Sequence, residues 1–209
     1  MIGRRLALAA ALVLGVASLA GAQAQQRLPE NRVLRVIPFA DLQSLDPITT
    51  TVGMTQRHAT MIYDVLVARD DNQAPQPQMA ERWTVSADNL VWRFTLREGL
   101  AFHDGAPVTA EDVVASLRRW AQRDAHGRQI WAVTASLTAD DPRTLTWTLT
   151  RPYGLMLFAL SKPSGLMPAI MPARIAATDP ATPITETIGS GPFVFVREEW
   201  VPGSRVVYR

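Results

Sequence analysis

The sequence predicts a mixed α/β fold, and three features carry that reading. Short runs alternate apolar and polar residues in hairpin-like pairs, other stretches repeat apolar residues at helical spacing, and Gly and Pro punctuate the joints. In chain order, Val33 to Pro38 is a short apolar run suited to a buried strand, and the polar stretch after it turns at Asp46-Pro47. Met54, His58, Met61, Ile62 and Val65 then share one helical face. Leu90, Trp92, Phe94 and Leu96 alternate with Val91, Arg93 and Thr95 as in a half-buried strand, and Gly99, Gly105 and Pro107 break the chain after it.

The next helix carries its own start signal. Thr109 can cap it while Asp112 reaches back from the third helical position, and Val108 can staple onto Val113. Val113, Val114, Leu117, Trp120 and Ala121 form its apolar stripe. Arg123 to Gln129 reads as a polar loop. Val133, Ala135 and Leu137 then match Leu145, Trp147 and Leu149 across Asp140-Asp141-Pro142, the pattern of an antiparallel hairpin. Leu155 to Leu160 is helical in pattern, and Pro163, Pro168 and Pro172 impose an irregular passage. A polar connector from Thr178 to Thr187 leads to Gly189-Ser190-Gly191-Pro192. A second hairpin joins Val194 to Val196 with Arg205 to Tyr208 through Pro202-Gly203-Ser204.

At the N-terminus, Arg4 and Arg5 precede an apolar run from Leu6 to Ala20 and the small-residue site Ala22-Gln23-Ala24. This is the layout of a cleaved secretory signal peptide over residues 1–24, too short and interrupted for a membrane anchor of roughly 20 apolar residues. Lys and Arg total 21 against 19 Asp and Glu, so removal of Arg4 and Arg5 leaves the two signs equal. A balanced surface offers no field for nucleic acid or anionic lipid. There is no cysteine, hence neither a disulfide nor a thiolate metal site.

Nothing in the sequence assembles into a catalytic constellation. His58 sits on an apolar helical face as a packed histidine, His103 belongs to the turn with Asp104-Gly105, and His126 is in a polar stretch. The three lack metal-binding spacing, so no metal site and no cofactor are expected. Lys162 is the lone lysine, which excludes a Gly-Lys-Ser/Thr phosphate loop. Ser161-Lys162-Pro163-Ser164-Gly165 lacks a nucleophile elbow and the S-x-x-K spacing, and reads as an irregular loop. Asp104, Glu111 and Asp112 occupy turn and cap positions. Trp131 is either a pocket aromatic or a core side chain.

Several blocks resemble the bacterial extracellular solute-binding proteins of family 5, binders of peptides, nickel and opines that serve ABC importers. They are Ala80-Glu81-x-Trp83-x-Val85-Ser86, Phe94-x-Leu96-Arg97-x-Gly99, Phe102-His103-Asp104-Gly105 and Thr109-Ala110-Glu111-Asp112-Val113. Gly189-Ser190-Gly191-Pro192 and Trp200-x-Pro202-Gly203 extend the likeness to Val33–Arg209. The resemblance implies a type II periplasmic binding protein of two lobes, of which residues 25–209 would be part of the first, without the second lobe or the returning C-terminal segment. It implies a non-enzymatic binder, a monomer when full length, that captures a short peptide in a Gram-negative periplasm and passes it to ABC permease subunits. The absence of a lipid-bearing cysteine implies a protein released rather than anchored. By the same resemblance, Ala40, Asp41, Leu42 and Gln43, the segment at Trp131, and Lys162, Pro163 and Ser164 face the solute. A secreted hydrolase with an unrecognised site and a sensory ligand-binding module are the alternatives.

Overall fold

The computed structural model describes residues 32–209, and the leader expected at 1–24 lies outside them. The chain divides into two units, 1–37 and 38–209. In the described part of the first, Val33, Leu34, Val36 and Ile37 are between 71% and 97% exposed, and no strand forms. The expected strand at Val33–Pro38 is therefore not seen. A β-run needs a neighbour for its N–H and C=O groups as well as apolar side chains, and here no ladder supplies one.

The second unit is built on a four-stranded antiparallel sheet in the order β3-β4-β6-β5. Its strands are β3 (Ala80–Val85), β4 (Val91–Leu96), β5 (Thr134–Asp141) and β6 (Thr144–Leu149). A separate two-stranded ribbon pairs β1 (Val67–Arg69) with β2 (Pro75–Pro77), which the sequence pattern did not signal. In β4 the alternation holds, with Trp92, Phe94 and Leu96 buried and Val91 and Arg93 exposed. The register sets Trp92 opposite Trp147 and Phe94 opposite Leu145. In β5, Leu137 faces Trp147 as expected, but Ala135 is exposed. The pairing slips between Thr134 and Ser136, and one extra residue there turns Ala135 off the inner face.

Helix α1 (Gly53–Ile62) buries His58 and Ile62 and ends before Val65, so its buried face is shorter than the apolar spacing implied. Helix α2 (Ala110–Arg123) has the full reciprocal cap. The Asp112 amide donates to Thr109 Oγ1 and the Thr109 amide donates to Asp112 Oδ2. Its whole expected stripe is buried, and Val108 lies in the same core as Val113. This core joins α2 to the sheet through Phe94, Leu117, Trp120, Leu137 and Trp147. A second core gathers Leu42, Ile62, Tyr63, Ile175, Ile184 and Phe195 around α1 and the short helix α5 (Ala173–Ala176).

One buried ion pair ties the second core to α2. Arg119 donates from Nη1 and Nη2 to the two carboxylate oxygens of Asp46 at 3.1 and 2.8 Å, with the side chains 2% and 0% exposed. The remaining hydrogen-bond capacity is used locally. Arg119 also donates to the Thr178 and Thr182 carbonyls, and Asp46 accepts from the Ile48 and Ile184 amides. The polar connector after Thr178 is thus ordered by a charge pair in place of secondary structure.

The stretch Arg123–Gln129 is not a loop. Helix α3 (Ala125–Trp131) starts there, because Asp124 Oδ1 accepts from the His126 and Gly127 amides, both at 3.0 Å. Asp124 also closes α2 through its amide on the Trp120 carbonyl. Gly127 lets α3 press onto α2, since a Cβ there would stand 2.7 Å from Ala121 Cα. At the chain end, Val194 and Arg209 exchange backbone bonds at 2.6 and 2.9 Å, and Phe195 bridges Tyr208. The expected hairpin pairing is present, interrupted by a 3-10 turn at Arg197–Glu199.

Candidate functional site

Trp131 and Lys162 stand at opposite ends of helix α3. Trp131 is the last residue of α3, while Lys162 reaches its other end and donates from Nζ to Asp124 Oδ2. Seven residues at about 1.5 Å each separate these ends by roughly 10 Å. Lys162 Nζ also lies 5.7 Å from the ring centre of Trp120. Pro163 and Ser164 follow as exposed residues, and the loop bends back at Gly165, whose φ is +84°. Leu166 returns to α2 by accepting from Trp120 Nε1 at 2.9 Å.

Beside this loop sits a group of aromatic and polar side chains. Phe158, on α4 (Met156–Leu160), is 45% exposed. The Arg69 guanidinium stacks 3.9 Å from its ring centre, and His126 approaches edge-on at 6.3 Å. Arg69 is held there by donating to the Phe158 carbonyl at 2.9 Å and to Ser161 Oγ at 3.2 Å. Tyr153 donates to Gln129 Oε1 at 3.0 Å, and its hydroxyl is 3.4 Å from His126 Nδ1. Burial and the nearby Asp124 carboxylate raise the Tyr153 pKa, so this hydroxyl stays a donor near neutrality. Trp131 itself is 38% exposed and borders an open hollow of about 470 Å³ lined also by Arg118 and the β5 residues 134–138.

The segment Ala40–Gln43 is placed elsewhere. Ala40, Asp41 and Gln43 are exposed, but Leu42 is buried in the second core. Asp41 Oδ2 accepts from the Gly203 amide at 2.9 Å, tying the segment to the terminal hairpin. Among the described residues, no hydrogen bond or salt bridge joins Ala40–Gln43 to Trp131 or the Lys162 loop. Leu42 is 2% exposed as a whole residue and packs in that core in place of facing a solute.

The histidines have structural partners. His58 Nδ1 meets the Tyr208 hydroxyl at 2.9 Å, and burial lowers its pKa to about 4. His103 donates from its amide to the Gly189 carbonyl, and its Nε2 is 2.9 Å from the Gly191 carbonyl. Ser164 is exposed and its side chain forms no hydrogen bond to a base, and no group of three or more potential metal ligands occurs among the described residues. What the group near Phe158 offers is apolar surface on a partly exposed ring, since Arg69 Nε and Nη2 and the Tyr153 hydroxyl already donate within it.

Asp124, His126, Arg69 and Phe158 escaped the sequence reading. Asp124 alone had a usable signal, because an Asp placed just before a Gly-containing amphipathic turn is an N-cap. Arg69 and Phe158 are 89 residues apart in sequence. No local pattern announces such a pair.

Comparison with known proteins adds the lineage of these elements. Residues 74–209 match the family described as bacterial extracellular solute-binding proteins, family 5 Middle. A probable peptide ABC transporter periplasmic-binding protein of Sinorhizobium fredii is 38% identical over 201 residues, covering 96% of this chain and 37% of its own length. The probable D,D-dipeptide-binding periplasmic protein DdpA of Escherichia coli is 29% identical over 175 residues, covering 80% of this chain. The chain spans little more than a third of the length of these relatives, 37% and 34%. Among solved structures, the binding protein MoaA of A. tumefaciens R10 in complex with mannopinic acid superposes with a TM-score of 0.65 at 32% identity, over 80% of this chain and 34% of MoaA. The Helicobacter pylori periplasmic binding protein DppA in complex with peptide STSA gives 0.64 at 26% identity, over 81% of this chain and 37% of DppA.

Proposed function

Because the chain belongs to the bacterial extracellular solute-binding proteins of family 5, we propose that it is the periplasmic receptor of an ABC importer for short peptides. The observation that carries the choice of solute is the likeness to the Sinorhizobium peptide-transporter protein along 96% of the chain. The chemistry fits that choice. Exposed Trp131 and the uncovered part of the Phe158 ring provide apolar surface for peptide side chains. Residues 25–209 supply one wall of the site, with Trp131, Lys162, Pro163 and Ser164 on one part of it and the exposed residues of Ala40–Gln43 on another. Capture proceeds by contact with this wall and closure of a second lobe over the solute, followed by delivery to the permease subunits. The leader at residues 1–24 directs export and is removed after Ala24. No reaction is needed for this role.

Titration calorimetry on the purified protein tests the proposal with di-, tri- and tetrapeptides alongside mannopinic acid. Saturable binding of one peptide length class is expected. Binding of mannopinic acid with no peptide binding would replace the solute by an opine. Turnover of a peptide or ester substrate, abolished by Ser164→Ala or His103→Ala, would make the protein a hydrolase.

A further inference from the structure

We infer that Asp124 and Lys162 form a positioning pair that sets the Pro163–Ser164 tip and cancels the lysine charge, so that the part of the solute resting there is uncharged. This rests on the proposed solute-binding role of the loop. The ammonium of Lys162 has no freedom to serve a solute carboxylate. Its side chain is 11% exposed and that of Asp124 is 5% exposed, and Asp124 Oδ1 is already committed to the His126 and Gly127 amides. Withdrawing Lys162 toward a ligand would leave Asp124 Oδ2 buried without its counter-charge. The Trp120 face beneath Nζ favours the same position.

The loop is fastened on both sides of its tip. Before it, Ser161 Oγ donates to the Leu157 carbonyl at 2.6 Å and accepts from Arg69 Nε at 3.2 Å. After it, Leu166 accepts from Trp120 Nε1. Lys162 lies between these anchors and fixes the one stretch they leave free. A loop held in its binding shape before the solute arrives loses less entropy on binding. With Lys162 neutralised and Arg69 stacked on Phe158, the groups presented here are the Pro163 ring, the Ser164 hydroxyl and, from α4, the part of the Phe158 ring that Arg69 leaves uncovered. Those suit a peptide bond or an apolar side chain better than a terminal carboxylate.

The experiment compares wild type, Lys162→Met, Lys162→Arg and Asp124→Asn in the purified protein, with dialanine and dialanine amide as probes. Asp124→Asn keeps an N-cap acceptor for α3, while its amide NH2 replaces the charged oxygen that accepts from Lys162. Lys162→Met and Asp124→Asn should weaken both probes by the same factor, on the order of tenfold, leaving the acid-to-amide affinity ratio at its wild-type value. Hydrogen exchange at the Trp120 indole N–H, which donates to Leu166 on the far side of the tip, should quicken in both, and Lys162→Arg should restore slow exchange. A ratio that falls to one in Lys162→Met, with exchange unchanged, would make Lys162 a direct carboxylate ligand and overturn the inference. Where the wild type takes a longer length class, trialanine or tetraalanine and its amide replace these probes; if it binds none of them, the peptide reading and the uncharged-solute claim fall together. Exchange then decides the positioning role alone, with unchanged rates in Lys162→Met refuting it.

Discussion

His58 shows what burial does to a single side chain. Its ring is 1% exposed, with Nδ1 on the Tyr208 hydroxyl and the Phe195 ring edge-on at 5.1 Å. Burial disfavours the imidazolium and brings the pKa from 6.5 to about 4. Since the unfolded chain binds the proton first, stability should be unaffected above pH 6.5 and should fall as the pH drops from 6.5 toward 4. The loss amounts to at most roughly 3 kcal/mol. Urea titrations at pH 7.5 and pH 4.5 measure it. His58→Gln should flatten that part of the profile, and an equally steep profile in the variant would assign the loss to other groups. Trp131 is the converse case, an aromatic ring left 38% exposed. Trp131→Ala should weaken solute binding by roughly 1–3 kcal/mol with little change in melting temperature. A sharp drop in melting temperature with unaltered affinity would instead make the ring structural.

At the scale of elements, legibility follows the distance over which the signal is written. The α2 cap is encoded within four residues, Thr109 to Asp112, and appears with both reciprocal bonds. Thr109→Ala should cost about 1 kcal/mol in thermal or chemical unfolding, and a loss below a few tenths would mean that the Asp112 bond to the Ala173 amide suffices to hold this end. The β4 and β6 alternation was equally readable, because side chains on a strand take opposite faces in turn. Ala135 was misread because a bulge depends on how the partner strand pairs. Helix α3 was misread as a loop because Asp124 ends one helix and caps the next, so polarity at this joint marked a double boundary.

At the scale of the molecule, the Asp46–Arg119 pair links the two cores of unit 38–209 and orders the connector through Thr178, Thr182 and Ile184. Arg119→Met should destabilise by roughly 3–5 kcal/mol, because it strands a fully buried carboxylate. The double variant Asp46→Asn with Arg119→Met should recover part of that loss, since no bare charge remains. Guanidinium unfolding of the wild type, both single variants and the double variant measures both effects. If the double variant were additive, the two residues would act independently and the pair would not be the link between the cores.

The sequence alone determined the mixed α/β class, the family, the capped helix α2 and the alternating faces of β4 and β6. Each is set by residues close together in the chain, where propensity, capping and period act locally. Only the tertiary structure decided that Lys162 spends its charge on Asp124, that Arg69 lies on Phe158, and that Arg119 belongs to Asp46. These pairs join residues 38 to 89 positions apart. Their energy depends on burial and on excluding water from both partners, and folding brings those conditions about where no sequence spacing records them.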